Sequence, residues 1–296
     1  MIKNISLPFK IAKSFFQVRN IMKGFSPDAV IGVGGYSSFP VLRYAQSKGI
    51  PTFIHESNSF AGKSNIMLGK KATSIFVASD GMEKFFPKEK LMITGNPVRK
   101  TIVQSTVSKR DGLLFFGLDE NRKTVFVTGG SLGARSINEA IANQLGDFES
   151  NNLQLIWQTG KTTAKEYMAK GTGRQNVWVN EFITDMQYAF AAADVVISRS
   201  GAMAIAELCV AKKAAVFVPY PLAAEDHQTA NAQNLVNKNA GLMIKDNEAK
   251  EKLVATVVEL MKNESLQNDL KQNIARLAIT DADDKIAGEI LRTIEN

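Results

Sequence analysis

The sequence predicts an α/β protein of two Rossmann-like units, each a parallel sheet with helices on both faces. Three observations predict it. Short apolar runs alternate with helical patterns along almost the whole chain. Several of these runs lead directly into turns of small residues that open a helix, where backbone N–H groups have no intrahelical partner. The chain has 296 residues, enough for two cores.

The chain opens on a helix, expected over 8–24. Lys10, Lys13, Arg19 and Lys23 make it basic, and Ile11, Phe15, Phe16, Val18 and Ile21 interleave apolar groups. Such a helix suits a domain surface or an anionic membrane surface, with Ile5, Phe9, Phe15 and Phe16 as the apolar patch. Strand candidates follow at 29–33, 52–55, 74–78 and 91–94. The stretch 103–121 reads as the inter-domain region. Further strands are expected at 124–128, 153–158, 177–179, 194–198, 214–219 and 242–244, with helices between them, such as 137–145 and 202–211. From 247 onward the pattern is helical and charged, without another strand. The expected domains are 1–108, 109–275 and 276–296, the last a helix packing back on the first domain.

Composition narrows the function classes. No apolar run reaches the roughly 18–20 residues of a membrane span, and no signal peptide is evident. A single cysteine, Cys209, allows no internal disulfide and fits a reducing compartment. One cysteine and two histidines disfavour a zinc site. The formal charge of +7 suits anionic partners. No aromatic stacking motif accompanies it, so nucleic acid is not an expected partner.

The most telling stretch is Ile197-Ser-Arg-Ser-Gly201, which joins an apolar strand to a helix carrying one acid, Glu207, about two turns in. N–H groups at such a helix start, with the helix dipole behind them, can hold a diphosphate. A carboxylate deeper in the helix can accept from two ribose hydroxyls. A second turn of this type is Thr128-Gly-Gly-Ser-Leu-Gly-Ala134, and a third is Gly32-Val-Gly-Gly-Tyr-Ser-Ser38. Three such turns suggest two phosphorylated substrates. Gly62-Lys63-Ser64 and Gly160-Lys161-Thr162 resemble the end of a P-loop, but neither has the motif's first glycine. Asp281-Ala-Asp283 reads as a helix start rather than a metal site.

Taken in order, seven motifs make the chain resemble the MurG-type glycosyltransferases. They are Gly34-Gly-Tyr-Ser-Ser38, His55-Glu-Ser-Asn58, Gly95-Asn-Pro-Val-Arg99, Gly129-Gly-Ser-Leu-Gly-Ala134, Phe182-Ile-Thr-Asp-Met186, Arg199-Ser-Gly-Ala202 with Glu207, and His227-Gln-Thr-Ala-Asn-Ala232. Each is weak alone, but their order and spacing are specific. The resemblance covers about residues 5 to 290.

The resemblance implies a GT-B fold, two Rossmann-like domains facing across a cleft. It implies UDP-N-acetylglucosamine as donor and a lipid-linked muramyl-pentapeptide as acceptor. The reaction would be inverting: the acceptor's C4 hydroxyl attacks the anomeric carbon and UDP leaves. By motif match, the Ile183 backbone would meet uracil and Glu207 the ribose. Ser131 and the turn Ser200, Gly201, Ala202, Met203 and Ala204 would hold the diphosphate. Gln228, with His227 or Asn231 nearby, would read sugar hydroxyls, and Asn58 and Arg99 would line the donor side. Gly34, Gly35, Tyr36, Ser37 and Ser38 would lie against the acceptor diphosphate. No cofactor or metal is expected, since helix N-termini and hydroxyls can stabilise the leaving diphosphate. The location implied is the cytoplasmic face of the bacterial plasma membrane, with the protein peripheral.

The chain departs from the family at its start. The family opens on a strand and a glycine-rich turn carrying a histidine, the leading candidate for the base that the attacking hydroxyl needs. Neither is found here. Roughly 70–100 residues of the first domain would then be absent, judging by the size of such domains, leaving His55 a weak candidate base. Leu132 and Ala204 stand where other members often carry polar residues. Alternatives are another GT-B enzyme using a UDP-sugar, a UDP-sugar epimerase, or an inactive UDP-sugar-binding fragment.

Overall fold

The computed structural model describes residues 7–295. Of the expected apolar patch, Ile5 lies outside the described residues, as does the Phe9 side chain. The chain forms two compact units: the residues up to Asn96 with Asp281–Asn296, and Pro97–Thr280.

The first unit begins with α1 (Leu7–Phe25), β1 (Val30–Gly32), α2 (Ser38–Ser47), β2 (Thr52–Glu56), α3 (Lys63–Gly69), β3 (Ser74–Val77) and β4 (Leu91–Ile93). Its four strands run parallel in the order β1-β2-β3-β4. The side chains of Ile54, Ile75 and Val77 share one face and join Leu42 of α2 and Leu68 of α3 in one core cluster. Phe53 and Phe76 lie on the other face, their rings stacked 5.8 Å apart. α1 packs on α2 and buries Met22.

The second unit starts with α4 (Lys100–Val103) and α5 (Lys109–Phe116), then β5 (Lys123–Thr128), α6 (Arg135–Asn143), α7 (Leu145–Ser150), β6 (Leu153–Gln158), α8 (Ala164–Gly171) and β7 (Val177–Asn180). It continues with α9 (Met186–Ala192), β8 (Val195–Ser198), α10 (Ala202–Val210), β9 (Ala214–Phe217), α11 (His227–Asn237), β10 (Leu242–Met243), α12 (Ala249–Lys262) and α13 (Glu264–Ala275). All six strands are parallel, in the order β10-β9-β8-β5-β6-β7. Alternation along the strands feeds two cores. Val125, Val127, Leu155, Trp157 and Ile197 face α6, α8 and α12. Phe126, Ile156, Val196 and Phe217 face α5, α9, α10 and α11. Burial on both faces explains why these strands read as continuous apolar runs.

All ten expected strands are present. The stretch expected to join the domains is different. Residues 97–121 belong to the second unit, and within them α5 buries Leu113 and Phe116. Ser108 caps α5 by accepting from the Asp111 N–H, and Gly117 ends it in the left-handed conformation. The chain then returns to the first unit through α14 (Ala282–Glu295), where Ser74 Oγ donates to Glu289 Oε1 at 3.3 Å.

Candidate functional site

In the second unit the strand order reverses at β5. β6 follows on one side and β8 lies on the other, with Thr128 and Ser198 paired at their C-terminal ends. Open parallel sheets bind ligands at such a switch point. A cavity of about 1420 Å³ opens there. The turn after β5, the start of α10, the end of β6 and the start of α11 contribute to its lining.

The floor is braced by Gln158, the last residue of β6 and 3% exposed. Its Nε2 donates to Thr128 Oγ1 at 3.0 Å and to the Gly130 carbonyl at 3.2 Å, and its Oε1 accepts from the Ile183 N–H at 2.9 Å. The turn 129–134 is further held by the Lys161 N–H, which donates to the Ser131 carbonyl at 2.9 Å. Gly133 and Gly160 meet backbone to backbone: a Cβ on Gly160 would lie 2.0 Å from the Gly133 nitrogen. The Gly160-Lys-Thr162 sequence is therefore a clasp on the neighbouring turn, consistent with its failure as a P-loop.

The N-cap of α10 is Gly201, which has no side chain to cap it. Glu207, on the same helix, lines the cavity and is 13% exposed at its side chain. Arg99 meets it, with both Nε and Nη2 at 2.9 Å from Oε1. Burial pushes the Glu207 carboxyl above its ordinary 4.5, and the Arg99 charge and hydrogen bond pull partly back.

Of the residues expected at the donor site, the cavity brings together Arg99, Ser131, Ile183, Gly201, Ala204, Glu207 and Gln228. Ser200, Ala202 and Met203 are not in its lining. Ser200 is enclosed, and its hydroxyl donates to the Gln228 carbonyl at 2.8 Å, so it ties α11 to the turn. Ile183 spends its N–H on Gln158, leaving its carbonyl as the backbone group for a base. Arg199, Tyr220, Asp246 and Gln158 also line the cavity and had no expected role. Arg199 carried a signal through its place in the 197–201 turn, and Gln158 as a polar residue closing a fully buried strand.

The other expected residues lie in the first unit. Gly34 and Gly35 have φ of +96° and +79°, so the turn needs glycine for its backbone. Tyr36 is exposed there, and Ser38 Oγ donates to the Gly35 carbonyl at 2.8 Å. Glu56 is buried and accepts from the Asn58 N–H and Nδ2, the Gly62 N–H and Asn65 Nδ2, which folds the 56–62 loop around the carboxylate. His55 is 4% exposed. Its Nε2 lies 3.0 Å from the Gly95 carbonyl, which can only accept, and its Nδ1 lies 3.2 Å from Ser57 Oγ. Nε2 therefore carries the proton and Nδ1 faces the serine hydroxyl. The ring braces β2 against the segment after β4.

The chain matches the Glycosyltransferase family 28 C-terminal domain over residues 124–286 and the Glycosyltransferase family 28 N-terminal domain over residues 1–77. A relative from Phocaeicola vulgatus is 46% identical, covering 99% of this chain and 78% of that protein. One from Parabacteroides distasonis is 45% identical, covering 100% and 81%. Both are named UDP-N-acetylglucosamine--N-acetylmuramyl-(pentapeptide) pyrophosphoryl-undecaprenol N-acetylglucosamine transferase. A crystal structure of MurG from Acinetobacter baumannii superposes with a TM-score of 0.79 at 30% identity, covering 96% of this chain and 79% of that one. A UDP-GlcNAc 2-epimerase from Neisseria meningitidis, solved bound to UDP-GlcNAc, shares the fold with a TM-score of 0.70 at 14% identity, covering 99% and 84%. The fold is thus GT-B-like, and the chain belongs to glycosyltransferase family 28, among the MurG-type N-acetylglucosamine transferases.

Proposed function

We propose that this chain transfers N-acetylglucosamine from UDP-N-acetylglucosamine to a lipid-linked N-acetylmuramyl-pentapeptide, with inversion at the anomeric carbon. The observation that carries the proposal is the cavity at the β5/β8 switch point, with a glycine-started helix and Glu207 in one wall. Glu207 accepts from the ribose hydroxyls, displacing Arg99, and the Ile183 carbonyl meets the base. Arg99 is 48% exposed at its side chain and free to swing toward the diphosphate. Ser131, the N–H groups of the 129–134 turn and the start of α10 stabilise the charge that grows on the leaving diphosphate. Gln228 reads the sugar. The Gly34–Ser38 turn of the first unit takes the acceptor's diphosphate.

The protein acts at the cytoplasmic face of the plasma membrane as a peripheral protein. No described helix is long and apolar enough to cross a membrane. α1 supports surface binding instead. Phe16 is 67% exposed and lies three residues from Lys13 and seven from Lys23, which puts all three on one side of the helix. Phe15, expected in the same patch, is half-buried and sits seven residues from the buried Met22.

Calorimetric titration with UDP-N-acetylglucosamine, with UDP-glucose as control, tests the donor site. Selective binding is expected. A folded chain that binds neither would sink the proposal.

A further inference from the structure

Arg199 lies in the turn after β8 and lines the cavity, yet its side chain is only 12% exposed. Its Nη1 donates to the carbonyls of Val218 at 3.0 Å and Pro219 at 3.1 Å, and pairs with Asp246. Its Nη2 donates to Ser136 Oγ at 3.1 Å, and that hydroxyl donates to Asp246. The guanidinium carbon lies 5.5 Å from the centre of the Tyr220 ring. One side chain thus ties the exit of β9 to the start of α6 and to the segment before α12. A planar fork with donors at fixed angles can do this, whereas a single ammonium cannot reach all the acceptors in that geometry.

The braced segment has one consequence for the cavity. Val218-Pro219 leads to Tyr220, whose N–H donates to Gln228 Oε1 at 3.0 Å. A backbone N–H cannot accept, so the amide oxygen must face it, and Nε2 is what Gln228 offers the cavity. Ser200 Oγ, on the Gln228 carbonyl at 2.8 Å, fixes the same residue from its backbone side.

We infer that Arg199 is a positioning residue. Through Val218–Tyr220 it orients the Gln228 carboxamide, so that the site presents an N–H donor to an oxygen of the donor sugar. The inference rests on the cavity being the UDP-sugar site. It assigns sugar selectivity to Arg199, and leaves the grip on UDP to Glu207, Ile183 and the 129–134 turn.

The test is calorimetric titration of the full chain with UDP, UDP-N-acetylglucosamine and its C4 epimer UDP-N-acetylgalactosamine. The unmodified chain should bind UDP and prefer the first sugar by about tenfold or more. Arg199→Lys keeps the charge and loses the fork. It should erase most of that preference while UDP affinity stays within about threefold. Gln228→Glu still accepts from the Tyr220 N–H but offers no donor, and should lose the same preference. Ser136→Ala removes one brace and should lose about threefold, which keeps the test decisive if Arg199→Lys does not fold. Parallel loss of UDP and UDP-sugar affinity in Arg199→Lys, with the preference intact, would reduce Arg199 to a structural brace and overturn the inference. An intact preference in Gln228→Glu or in Ser136→Ala would overturn it too. A chain that binds UDP but does not discriminate defeats this inference alone, whereas a folded chain that binds no UDP defeats the site itself.

Discussion

The glycine turns of the two units look alike in sequence and are held by different physics. In the first unit, a Cβ on Gly34 would meet nothing nearer than Asn65 Nδ2 at 4.0 Å, so glycine serves only the positive φ of +96°. In the second unit, the turn after β5 is locked against the one after β6. A Cβ on Gly133 would lie 2.2 Å from the Thr159 carbonyl oxygen, and one on Gly129 would lie 2.3 Å from the Ala134 nitrogen. The first turn is open and the second is pre-shaped. A pre-shaped turn has less disorder to lose when a ligand orders it.

The largest expected effect is a direct attack on that difference. Gly160→Ala must force two backbones apart, since its Cβ would fall 2.0 Å from the Gly133 nitrogen. It should cost about 3 kcal/mol or more of unfolding stability and weaken UDP binding at least about tenfold. Gly34→Ala meets no backbone and should cost only the left-handed strain, about 1–2 kcal/mol, with UDP affinity unchanged. Denaturant unfolding and calorimetry of both variants decide the matter. Equal losses would mean that interlocking does not distinguish the turns.

Next in size is the charge in the second unit's cavity. Glu207→Ala removes the proposed ribose acceptor and should cost about 2 kcal/mol of UDP binding, roughly thirtyfold in Kd. Unchanged affinity would remove Glu207 from the site. The pH dependence follows from its raised carboxyl pKa. The ionised form is the better acceptor, so UDP affinity should fall on acidification, beginning above the pH at which an ordinary glutamate protonates. Arg99 holds that pKa down. Arg99→Ala should therefore move the midpoint of the loss to higher pH. A midpoint that stays put or falls would show that Arg99 does not control the carboxylate.

The same contrast explains what could be read in the sequence. Strands buried on both faces leave apolar runs, and all ten were legible. The helix α5 was not, because it is only eight residues long and Gly112 interrupts its pattern. Gly112 is there for packing: a Cβ would lie 2.6 Å from the Tyr188 carbonyl oxygen and 2.8 Å from the Ala192 nitrogen, both in the α9 region. Only the fold shows that close approach. The turn residues of the cavity were legible as motifs. The clamp of Arg199 was not, because its acceptors at Val218, Pro219 and Asp246 lie 19 to 47 residues away. The sequence places Ser200 in the diphosphate turn but does not show the partner of its hydroxyl, the Gln228 carbonyl 28 residues on.

The smallest expected effect on stability concerns α1, where neighbouring phenylalanines take opposite parts. Phe15 and Met22, seven apart, turn inward, and Met22 is 8% exposed. Phe16 is 67% exposed, on the side that carries Lys13 and Lys23. Phe16→Ser should change unfolding stability by no more than about 0.5 kcal/mol, yet lower binding to anionic vesicles several-fold, because an aromatic ring is lost from the lipid boundary. Phe15→Ser should do the reverse, losing about 1–2 kcal/mol of stability with little change in vesicle binding. Co-sedimentation with vesicles of anionic and of neutral lipid, beside denaturant unfolding, separates the two. If Phe16→Ser binds anionic vesicles as well as the unmodified chain, α1 is a surface helix of the first unit and the membrane contact lies elsewhere. If binding falls equally for both lipids, the contact is apolar and the lysines beside Phe16 contribute nothing to it.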